Sequence, residues 1–358
     1  MRIIHVVSGL QKASGVTTFV EHLVAELRAC GHEVEVITKE TPGETSARLM
    51  AVCDLVHIHG MWDPWLHRWA RLARRSGVPI VWSTHGMTAP WAMRHKWWKK
   101  CLPWRFYQRR DLAGAQILHC TSEFEAEWNQ RLGLEKSFVA PLGADLPRSD
   151  ERGQNAAKQV KGNKTLLFVG RIYPVKALDR LIEAFAIVLS GGKVRSGAEW
   201  HLRVVGPDQA GHLAQLMKLC DKVGLSYSEQ KPEPSGHARV QFVGSRFNGD
   251  LDSEYERCDA LALVSHTENF GATLVDAMAH GKPVIAGTKT PWKIVADRGC
   301  GWWCDNAPAA LSKAIEDLIG LSDDERAQMG ARGRKLVEEK YTWKAVCDAM
   351  VEGYRRIV

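Results

Sequence analysis

Two carboxylates in the second half of the chain have a spacing that suits ligand binding. The segment Val264–Ala279, VSHTENFGATLVDAMA, predicts a buried strand ending at Ser265, a turn that carries Glu268 and Gly271, and then a helix. Asp276 follows Glu268 by eight residues, so one carboxylate lies in the turn and the other in the helix. A turn glycine lets a ligand approach the backbone, and the free N–H groups that open a helix bind phosphate. The alternative is that both acids only complement the helix dipole.

Two basic residues follow another predicted strand. In FVGRIYPVKAL, which runs from Phe168 to Leu178, Arg171 and Lys176 come directly after the strand. A bidentate guanidinium and a point-charge ammonium together can neutralise a diphosphate. The alternative is that both side chains meet only solvent.

The first half of the chain offers a glycine turn and a histidine. Gly15 lies in VSGLQKASGVTT, between a predicted strand and helix. This turn lacks the G-x-G-x-x-G pattern, and Thr38 and Lys39 stand where an acidic ribose ligand is expected, which disfavours an NAD-dependent dehydrogenase. His85 follows a strand in WSTHGM, where a structural and a catalytic role both remain open.

Short apolar runs alternate with helical patterns, which is typical of parallel sheets covered by helices. The first half predicts strands at Arg2–Val7, Glu33–Thr38, Asp54–His59, Pro79–Ser83, Gln116–Cys120 and Ser137–Ala140. The second half predicts strands at Thr165–Val169, His201–Val205, Gln241–Val243, Leu261–Val264 and Pro283–Ala286. Helices are predicted at Thr17–Cys30, Pro64–Arg75, Ala177–Leu189 and around Thr273–His280.

A polar stretch, Pro147–Lys164, separates the two series and suits a linker. We therefore predict an α/β protein with two facing Rossmann-like domains, residues 1–150 and 151–340. The ligand site is expected in the inter-domain cleft, beyond the carboxyl ends of the strands. We expect residues 341–358 to form a C-terminal helix that packs back on the first domain.

Composition limits the function classes further. The 358 residues are 45% apolar and 25% charged, as in an ordinary globular chain of about two domains, which excludes disorder and collagen. No apolar run reaches the roughly 18 residues of a membrane span, and the opening MRIIHVVSGLQ does not resemble a signal peptide. Nine cysteines without a C-x-x-C pair indicate reduced thiols and a cytoplasmic location.

The net charge of +7 comes from one segment. Residues 64–110 contain 11 Lys and Arg and 7 of the 14 Trp but no Asp or Glu, whereas the remainder has 37 basic and 41 acidic residues. The helix at Pro64–Arg75 separates an apolar face from an arginine face and suits ordinary packing on a sheet.

Within Trp91–Arg110, WAMRHKWWKKCLPWRFYQRR, the adjacent Trp97 and Trp98 cannot both face one core, and Pro103 is expected to break the segment into two short helices. Tryptophan and basic side chains favour an anionic membrane surface, which we prefer to the wall of a substrate-binding groove or to nucleic acid. The residues expected to meet the substrate or the membrane are Trp91, Lys96, Trp97, Trp98, Lys99, Lys100 and Arg105.

Taken together, the motifs resemble a known family. G-R-x-x-x-x-K after the linker, E-x7-D before HGKPVIAG and a strand-end histidine in the first half are similar to the retaining glycosyltransferases of the GT-B fold, family 4. The resemblance covers nearly the whole chain. The motifs THGM, SHTENFG, TPW and GCGWW resemble those of family members that build bacterial capsule, exopolysaccharide or O-antigen chains.

The resemblance implies a role for each motif residue. Arg171 and Lys176 would hold the diphosphate of a nucleotide-sugar, Glu268 would contact its sugar, and Asp276 would hold its ribose hydroxyls. His85 would reach the sugar near the reacting centre. The residues expected to line the donor site, mostly through their backbone, are Gly15, Gly170, Val243, Asn269, Phe270 and Gly271.

This chain departs from the family pattern at three places. Asp276 replaces a glutamate, Ala177 replaces a glycine after Lys176, and Ser14–Gly15 replaces a pair of glycines. None of these changes removes a functional group, so activity is still expected.

The resemblance also implies the reaction and its partners. A sugar would pass with retention from the nucleotide-sugar to a glycan or glycolipid acceptor, at the inner face of the cytoplasmic membrane, with no cofactor. No metal is expected, because Asp250-Leu-Asp252 suits the start of a helix and no histidine lies near Cys300 and Cys304. A nucleotide-sugar epimerase of the same fold and a non-catalytic nucleotide-sugar binding protein remain the alternatives.

Overall fold

The structure is a computed structural model that describes residues 1–10, 15–41, 45–147, 163–191, 199–229 and 238–358. These residues form two compact units, Met1–Gly143 with Trp343–Val358, and Ala144–Thr342. The division lies at residue 143, ahead of the boundary at 150 that the sequence predicts. Most of the predicted linker, residues 148–162, lies outside the described residues, and its end, Asn163–Lys164, belongs to a strand.

The first unit contains a six-stranded parallel sheet. Its strands are β1 Arg2–Val7, β2 Glu33–Ile37, β3 Leu55–His59, β4 Ile80–Ser83, β5 Ile117–Cys120 and β6 Ser137–Val139, in the order β2-β1-β3-β4-β5-β6. Its helices are α1 Gly15–Ala29, α2 Thr45–Met50, α3 Pro64–Arg75, α4 Pro90–Arg94, α5 Trp97–Pro103, α6 Arg109–Ala113 and α7 Glu123–Arg131.

The second unit contains a seven-stranded parallel sheet. Its strands are β7 Asn163–Val169, β8 Glu199–Val205, β9 Tyr227–Glu229, β10 Val240–Phe242, β11 Ala260–Leu263, β12 Val284–Gly287 and β13 Gly301–Cys304, in the order β13-β12-β11-β7-β8-β10-β9. Its helices are α8 Leu178–Ser190, α9 His212–Val223, α10 Gly249–Arg257, α11 Ala272–Ala279, α12 Ile294–Asp297, α13 Pro308–Gly320 and α14 Asp323–Lys340.

The last helix, α15 Trp343–Arg355, belongs to the first unit. Its buried face, which includes Trp343, Met350 and Tyr354, shares one apolar core with α1 and the sheet. The other face of that sheet is covered by α3, which buries Leu66, Trp69, Ala70 and Ala73 as its helical pattern predicts.

The eleven predicted strands and the four helices predicted at Thr17–Cys30, Pro64–Arg75, Ala177–Leu189 and around Thr273–His280 are confirmed, with ends within two residues of the expected ones. The helix expected within residues 341–358 spans Trp343–Arg355. The edge strands β9 and β13 were not predicted, because β9 has three residues and the segment of β13, GWWC, lacks the alternation of a half-buried strand. None of the helices in the described ranges is both long enough and apolar enough to cross a membrane.

Candidate functional site

The order of the second sheet brings two motif strands together. β7 and β11 are neighbours, and the strand order reverses between them, since β8 follows β7 on one side while β11 and β12 lie on the other. Ligands of such sheets bind beyond the carboxyl ends of the strands at this reversal. The loop with Arg171 and Lys176 leaves β7 there, and the loop with Glu268 leaves β11.

Lys176 and Glu268 meet across these two loops. Lys176 Nζ lies 2.6 Å from Glu268 Oε2, and the hydroxyl of Ser265 donates to the same oxygen at 3.0 Å. Each side chain of the ion pair is 16% exposed, so both groups still reach the surface. A short ion pair of this kind holds a cation and a carboxylate ready for an anionic, hydroxyl-bearing ligand.

A backbone contact joins the same two loops. His266 N–H donates to the carbonyl oxygen of Val175 at 2.8 Å, within the 3-10 turn Pro174–Lys176. The turn ends at Ala177, which has a left-handed backbone with φ 53° and is fully buried. A glycine would adopt this conformation without strain, so the position favours glycine although this chain has alanine.

Arg171 lies at the exposed rim of this site. Its Nη1 donates to Gln209 Oε1 at 2.9 Å, which holds the guanidinium beside the loop that follows β8. Behind it, Gly170 N–H donates to Val205 O at 2.9 Å and Ile172 N–H donates to Pro207 O at 2.8 Å. These two hydrogen bonds therefore join the ends of β7 and β8 next to Arg171.

The turn before α11 is fixed by an indole from another loop. Trp292 Nε1–H donates to the carbonyl oxygen of Phe270, and the two rings pack edge to face with centroids 5.2 Å apart. Both side chains are buried, at 1% and 5% exposure. Gly271 then caps α11 with φ 89°, and a side chain there would press on Leu263. Asn269 lies in the same turn. The contacts of Phe270 and Gly271 therefore define the backbone shape of residues 269–271.

Asp276 lies one turn into α11, near a tyrosine hydroxyl and two other acidic side chains. The hydroxyl of Tyr255, on α10, donates to Asp276 Oδ2 at 3.4 Å. Burial, with smaller contributions from the nearby Asp252 and Asp145, raises the pKa of Asp276 to about 7. The carboxyl group is therefore partly protonated near neutral pH, and a ligand that donates hydrogen bonds would favour its charged form.

Val243 follows β10 and is buried, with its N–H bonded to Val204 O at 3.0 Å. Only its carbonyl and the backbone after it are therefore left for a ligand. In the first unit, Gly15 opens α1, and a Cβ at this position would have no described atom within 4 Å. Packing therefore does not require a glycine there.

His85 follows β4 in a strained turn with φ 49°. The buried carboxylate of Glu125 holds this turn, since it accepts from Gly86 N at 2.5 Å and Thr84 Oγ1 at 2.6 Å. The same carboxylate accepts from the N–H and the hydroxyl of Thr121 at 2.8 and 3.0 Å. Glu125 was not predicted as a site residue, since its signal in the sequence is only its place in the first turn of α7.

His85 also touches a cluster of buried histidines that the sequence analysis missed. His59 Nδ1 lies 3.0 Å from His85 Nε2, and His59 Nε2 lies 2.8 Å from His5 Nδ1. His57 and His119 lie beside them on the same face of the sheet. The pattern H-I-H in β3 is the available signal, because alternate residues of a strand share a face.

Three of these side chains, His5, His57 and His59, have nitrogens close enough to hold a metal ion, all within 4.8 Å of one another. Five of their six ring nitrogens, however, already hydrogen bond to neighbouring side chains. Hydrogen bonding therefore accounts for the cluster. The other candidate ligands belong to the second unit, where Asp250 and Asp252 are in the first turn of α10 and Cys300 is buried.

The tryptophan-rich basic segment is exposed. Trp97 and Trp98 are 64% and 61% exposed and Trp91 is 43% exposed, with Leu102 and Phe106 exposed nearby. Lys96, Lys99 and Arg105 are also exposed, and Lys99 Nζ lies 5.0 Å from the centre of the Trp98 ring. The segment therefore presents aromatic rings and cations on one stretch of surface.

Two details of the segment differ from the expectation. Pro103 does not break the helix, because a π-helical turn, Trp104–Gln108, accommodates the missing N–H and leads directly into α6. The break lies at Lys96, whose φ is 49°. Lys100 is turned inward, since its Nζ donates to the carbonyl oxygens of Ala92 and His95, and burial lowers its pKa.

Two family models match the chain. The model described as glycosyl transferases group 1 matches residues 150–336, and the model described as Glycosyltransferase Family 4 matches residues 47–148. The D-inositol 3-phosphate glycosyltransferase of Mycobacterium leprae is 27% identical over 243 residues, which are 62% of this chain and 50% of that protein. The match therefore spans about half the length of this curated relative.

Solved structures are similar over nearly the whole chain. HepE of Anabaena, solved in complex with UDP and glucose, has a TM-score of 0.69 and 17% identity over 99% of both chains. WaaG, a glycosyltransferase involved in lipopolysaccharide biosynthesis, has a TM-score of 0.70 and 16% identity over 99% of both chains. At these identities the likeness is one of fold.

Proposed function

The chain belongs to the glycosyl transferases of group 1 and has the α/β two-domain fold of the GT-B class that its sequence predicts, and from this premise we propose its reaction. The protein transfers a sugar, with retention, from a nucleoside-diphosphate sugar to a glycan or glycolipid acceptor in bacterial surface polysaccharide synthesis. The observation that carries this proposal is the 2.6 Å pair of Lys176 and Glu268 at the strand reversal, with Arg171 on the same loop.

Each group has a defined task in this reaction. The bond between the sugar C1 and the diphosphate oxygen breaks, and a bond from C1 to the acceptor oxygen forms on the same face of the sugar. The proton of the acceptor hydroxyl passes to the departing diphosphate, so no side chain is needed as a base. Lys176 and Arg171 neutralise the charge that grows on the diphosphate, and Glu268 binds hydroxyls of the sugar.

The lining of the site supports a nucleotide donor. Glycines with positive φ, Gly206 and Gly244, follow β8 and β10 and are hydrogen bonded to each other, so backbone rather than side chains meets a base there. Asp276 offers a carboxylate to the ribose. HepE was solved with UDP and glucose, so a UDP-sugar is the first donor to test.

The proposed reaction needs neither a metal nor a bound cofactor. In the described residues, Lys176 and Arg171 supply the positive charge that a metal ion would otherwise bring to the diphosphate. Asp250 and Asp252, the formal D-x-D pair, lie in the first turn of α10, where acidic side chains complement the helix dipole.

The decisive assay follows both products. The full chain is incubated with UDP-glucose as probe and a bacterial envelope lipid extract as acceptor, and nucleotide release and glycolipid formation are measured. NMR of the product then gives the anomeric configuration. Release of UDP coupled to a glycolipid of unchanged configuration supports the proposal, and an inverted product contradicts the retaining mechanism.

Two further measurements separate the alternatives. A nucleotide-sugar epimerase acts without acceptor, so incubation with the donor alone would convert it to an epimer. A binding protein would be stabilised by the nucleotide-sugar in a thermal-shift measurement but would form no product with UDP-, GDP- or ADP-sugars. Either outcome would contradict the transferase proposal.

A peripheral contact with the inner face of the cytoplasmic membrane is part of the proposal. The exposed Trp97, Trp98 and Phe106 stand among the cations Lys96, Lys99 and Arg105. Indole rings favour the depth of lipid headgroups, and each cation near anionic lipid contributes about 1 kcal/mol of attraction. Such a surface would bring the enzyme to a lipid-linked acceptor.

A further inference from the structure

Two chains of hydrogen bonds run through the buried histidines of the first sheet. One links Tyr354 of α15 through His57, Ser83 and His119 to the carbonyl oxygen of Ala140, with distances of 2.7, 2.6, 2.7 and 2.8 Å. The other links His5 through His59 to His85, with distances of 2.8 and 3.0 Å. Burial lowers the pKa of these imidazoles, so each ring is neutral and has one N–H and one lone pair.

The first chain has only one arrangement of protons. The Ala140 carbonyl can only accept, so His119 carries its proton on Nε2 and leaves Nδ1 to accept from Ser83. The oxygen of Ser83 then accepts from His57 Nε2–H, and His57 Nδ1 accepts the hydroxyl of Tyr354. Every donor is paired, so this chain ties α15 to the sheet.

The second chain has two formal arrangements, which run in opposite directions. His5 Nε2 is buried and has no hydrogen-bond partner within the described ranges. If the protons point toward His5, this nitrogen carries an unpaired, buried N–H, and such orphaned donors are rare in folded proteins. If they point toward His85, only a lone pair is left unpaired in the core, and the proton of His85 is on Nδ1.

We infer that His59, supported by His5, is a positioning residue that holds His85 in the tautomer with the proton on Nδ1. His85 then meets its ligand as a hydrogen-bond donor to an oxygen atom, and it cannot act as a base through either nitrogen. The Glu125 carboxylate fixes the backbone of the same turn, so ring and backbone are set by separate groups. The identity of the oxygen, on the sugar or its diphosphate, rests on the proposed function.

The tautomer can be measured without any substrate. In 15N NMR of the full chain labelled at histidine, a protonated ring nitrogen is distinguished from an unprotonated one, and His85→Asn assigns the signals. We expect His85 to have Nδ1 protonated and Nε2 unprotonated in the wild type. In His59→Phe, which keeps a ring but removes the donor, signals of both tautomers should appear.

A matched control comes from the other chain of hydrogen bonds, which contains Tyr354. Tyr354→Phe removes one hydrogen bond from the same buried cluster but should leave the tautomer of His85 unchanged. His59→Asn keeps a donor near the position of Nδ1 and should restore part of the wild-type tautomer preference. In transfer assays, His59→Phe should lower kcat about ten- to a hundredfold with a smaller change in donor KM, as loss of an orienting partner does elsewhere.

The outcomes separate this inference from the proposed function. The inference is overturned, whatever the activity, if His85 of the wild type is protonated on Nε2 or if His59→Phe leaves the tautomer of His85 unchanged. If the variant does not fold, the wild-type spectrum alone decides. The expected tautomers support the inference even if no donor sugar is turned over. Such a lack of turnover would count only against the proposed function.

Discussion

Gly206 faces the carbonyl oxygen of Gly170 so closely that a Cβ at residue 206 would overlap that oxygen. The two glycines follow β8 and β7, directly behind Arg171. Their contact lets the two strand ends converge, so the floor of the candidate donor site consists of backbone. The shape of this site therefore depends on an absent side chain as much as on the charged ones.

Gly206→Ala should destabilise the second unit more than a change at an unhindered glycine. Gly206 has φ 144° and would gain a clash, whereas Gly224, with φ 73°, has no described atom within 4 Å of a built Cβ. We expect Gly206→Ala to cost at least about 2 kcal/mol and Gly224→Ala only about 1 kcal/mol. Urea unfolding of both variants measures the difference, and equal losses would contradict the role of the contact.

Donor affinity should fall as the pH is lowered through 7. Burial, with Asp252 and Asp145 nearby, raises the pKa of Asp276 to about 7, and ribose hydroxyls favour its charged form. Protonation below that pH therefore opposes binding, by up to about tenfold per pH unit. UDP-glucose is the suitable probe, because its diphosphate is esterified at both ends and does not titrate there.

The control for this pH dependence is Asp276→Asn, which retains the size of the side chain but cannot titrate. Calorimetry between pH 5.5 and 8.5 should give a flat profile for this variant. The same slope in both proteins would show that another group is responsible.

The aromatic and basic segment should bind anionic vesicles. Co-sedimentation with phosphatidylglycerol vesicles is expected at low salt and should weaken at high salt, because screening reduces the attraction of the cations. The double change Trp97→Ala and Trp98→Ala should release the protein. Ile187→Ala, which alters an exposed apolar side chain on α8, is the control. Equal binding to phosphatidylcholine, or none at low salt, would contradict the proposal.

Chelation should leave transfer unchanged. Since Lys176 and Arg171 are proposed to neutralise the diphosphate, excess EDTA should lower the rate less than twofold and added Mg²⁺ or Mn²⁺ should not raise it. A loss of activity that returns on addition of one metal would show that the charge is supplied by an ion.

The parts of this structure that could be predicted are those with a local cause. The apolar face of α3 follows from the spacing of residues within one helix and is confirmed. The loops of Arg171, Lys176 and Glu268 each follow an apolar run, so their positions at strand ends were predictable. That they share one site was predicted only through the family resemblance. The direct contact of Lys176 with Glu268 was not predicted, since it depends on β7 lying next to β11.

The missed residues act through partners distant in sequence. His5 on β1 and His59 on β3 form a hydrogen-bonded chain to the predicted His85 in the turn after β4, and Glu125 reaches that turn from α7. Trp292, which supports Phe270, lies 22 residues from it. A single sequence shows such residues as ordinary core side chains. The H-I-H spacing in β3 indicates a shared face, but hydrogen bonds between strands depend on the strand order, which the spacing does not give.

Nucleotide binding by Lys176 tests the central claim most directly. Calorimetry with UDP, GDP and ADP on the wild type identifies the preferred diphosphate, which is then measured on Lys176→Ala and on Lys164→Ala. Lys164 is a matched control, because it also pairs with carboxylates, those of Asp259 and Asp323, and is 19% exposed, but it lies at the opposite end of β7.

The loss of a charge-assisted bond should weaken nucleotide binding by Lys176→Ala about 10- to 100-fold, and transfer should fall by about 10²–10³. Lys164→Ala should bind the nucleotide as the wild type does. Undiminished binding and transfer by Lys176→Ala, or no binding of any of the three diphosphates by the wild type, would contradict the account.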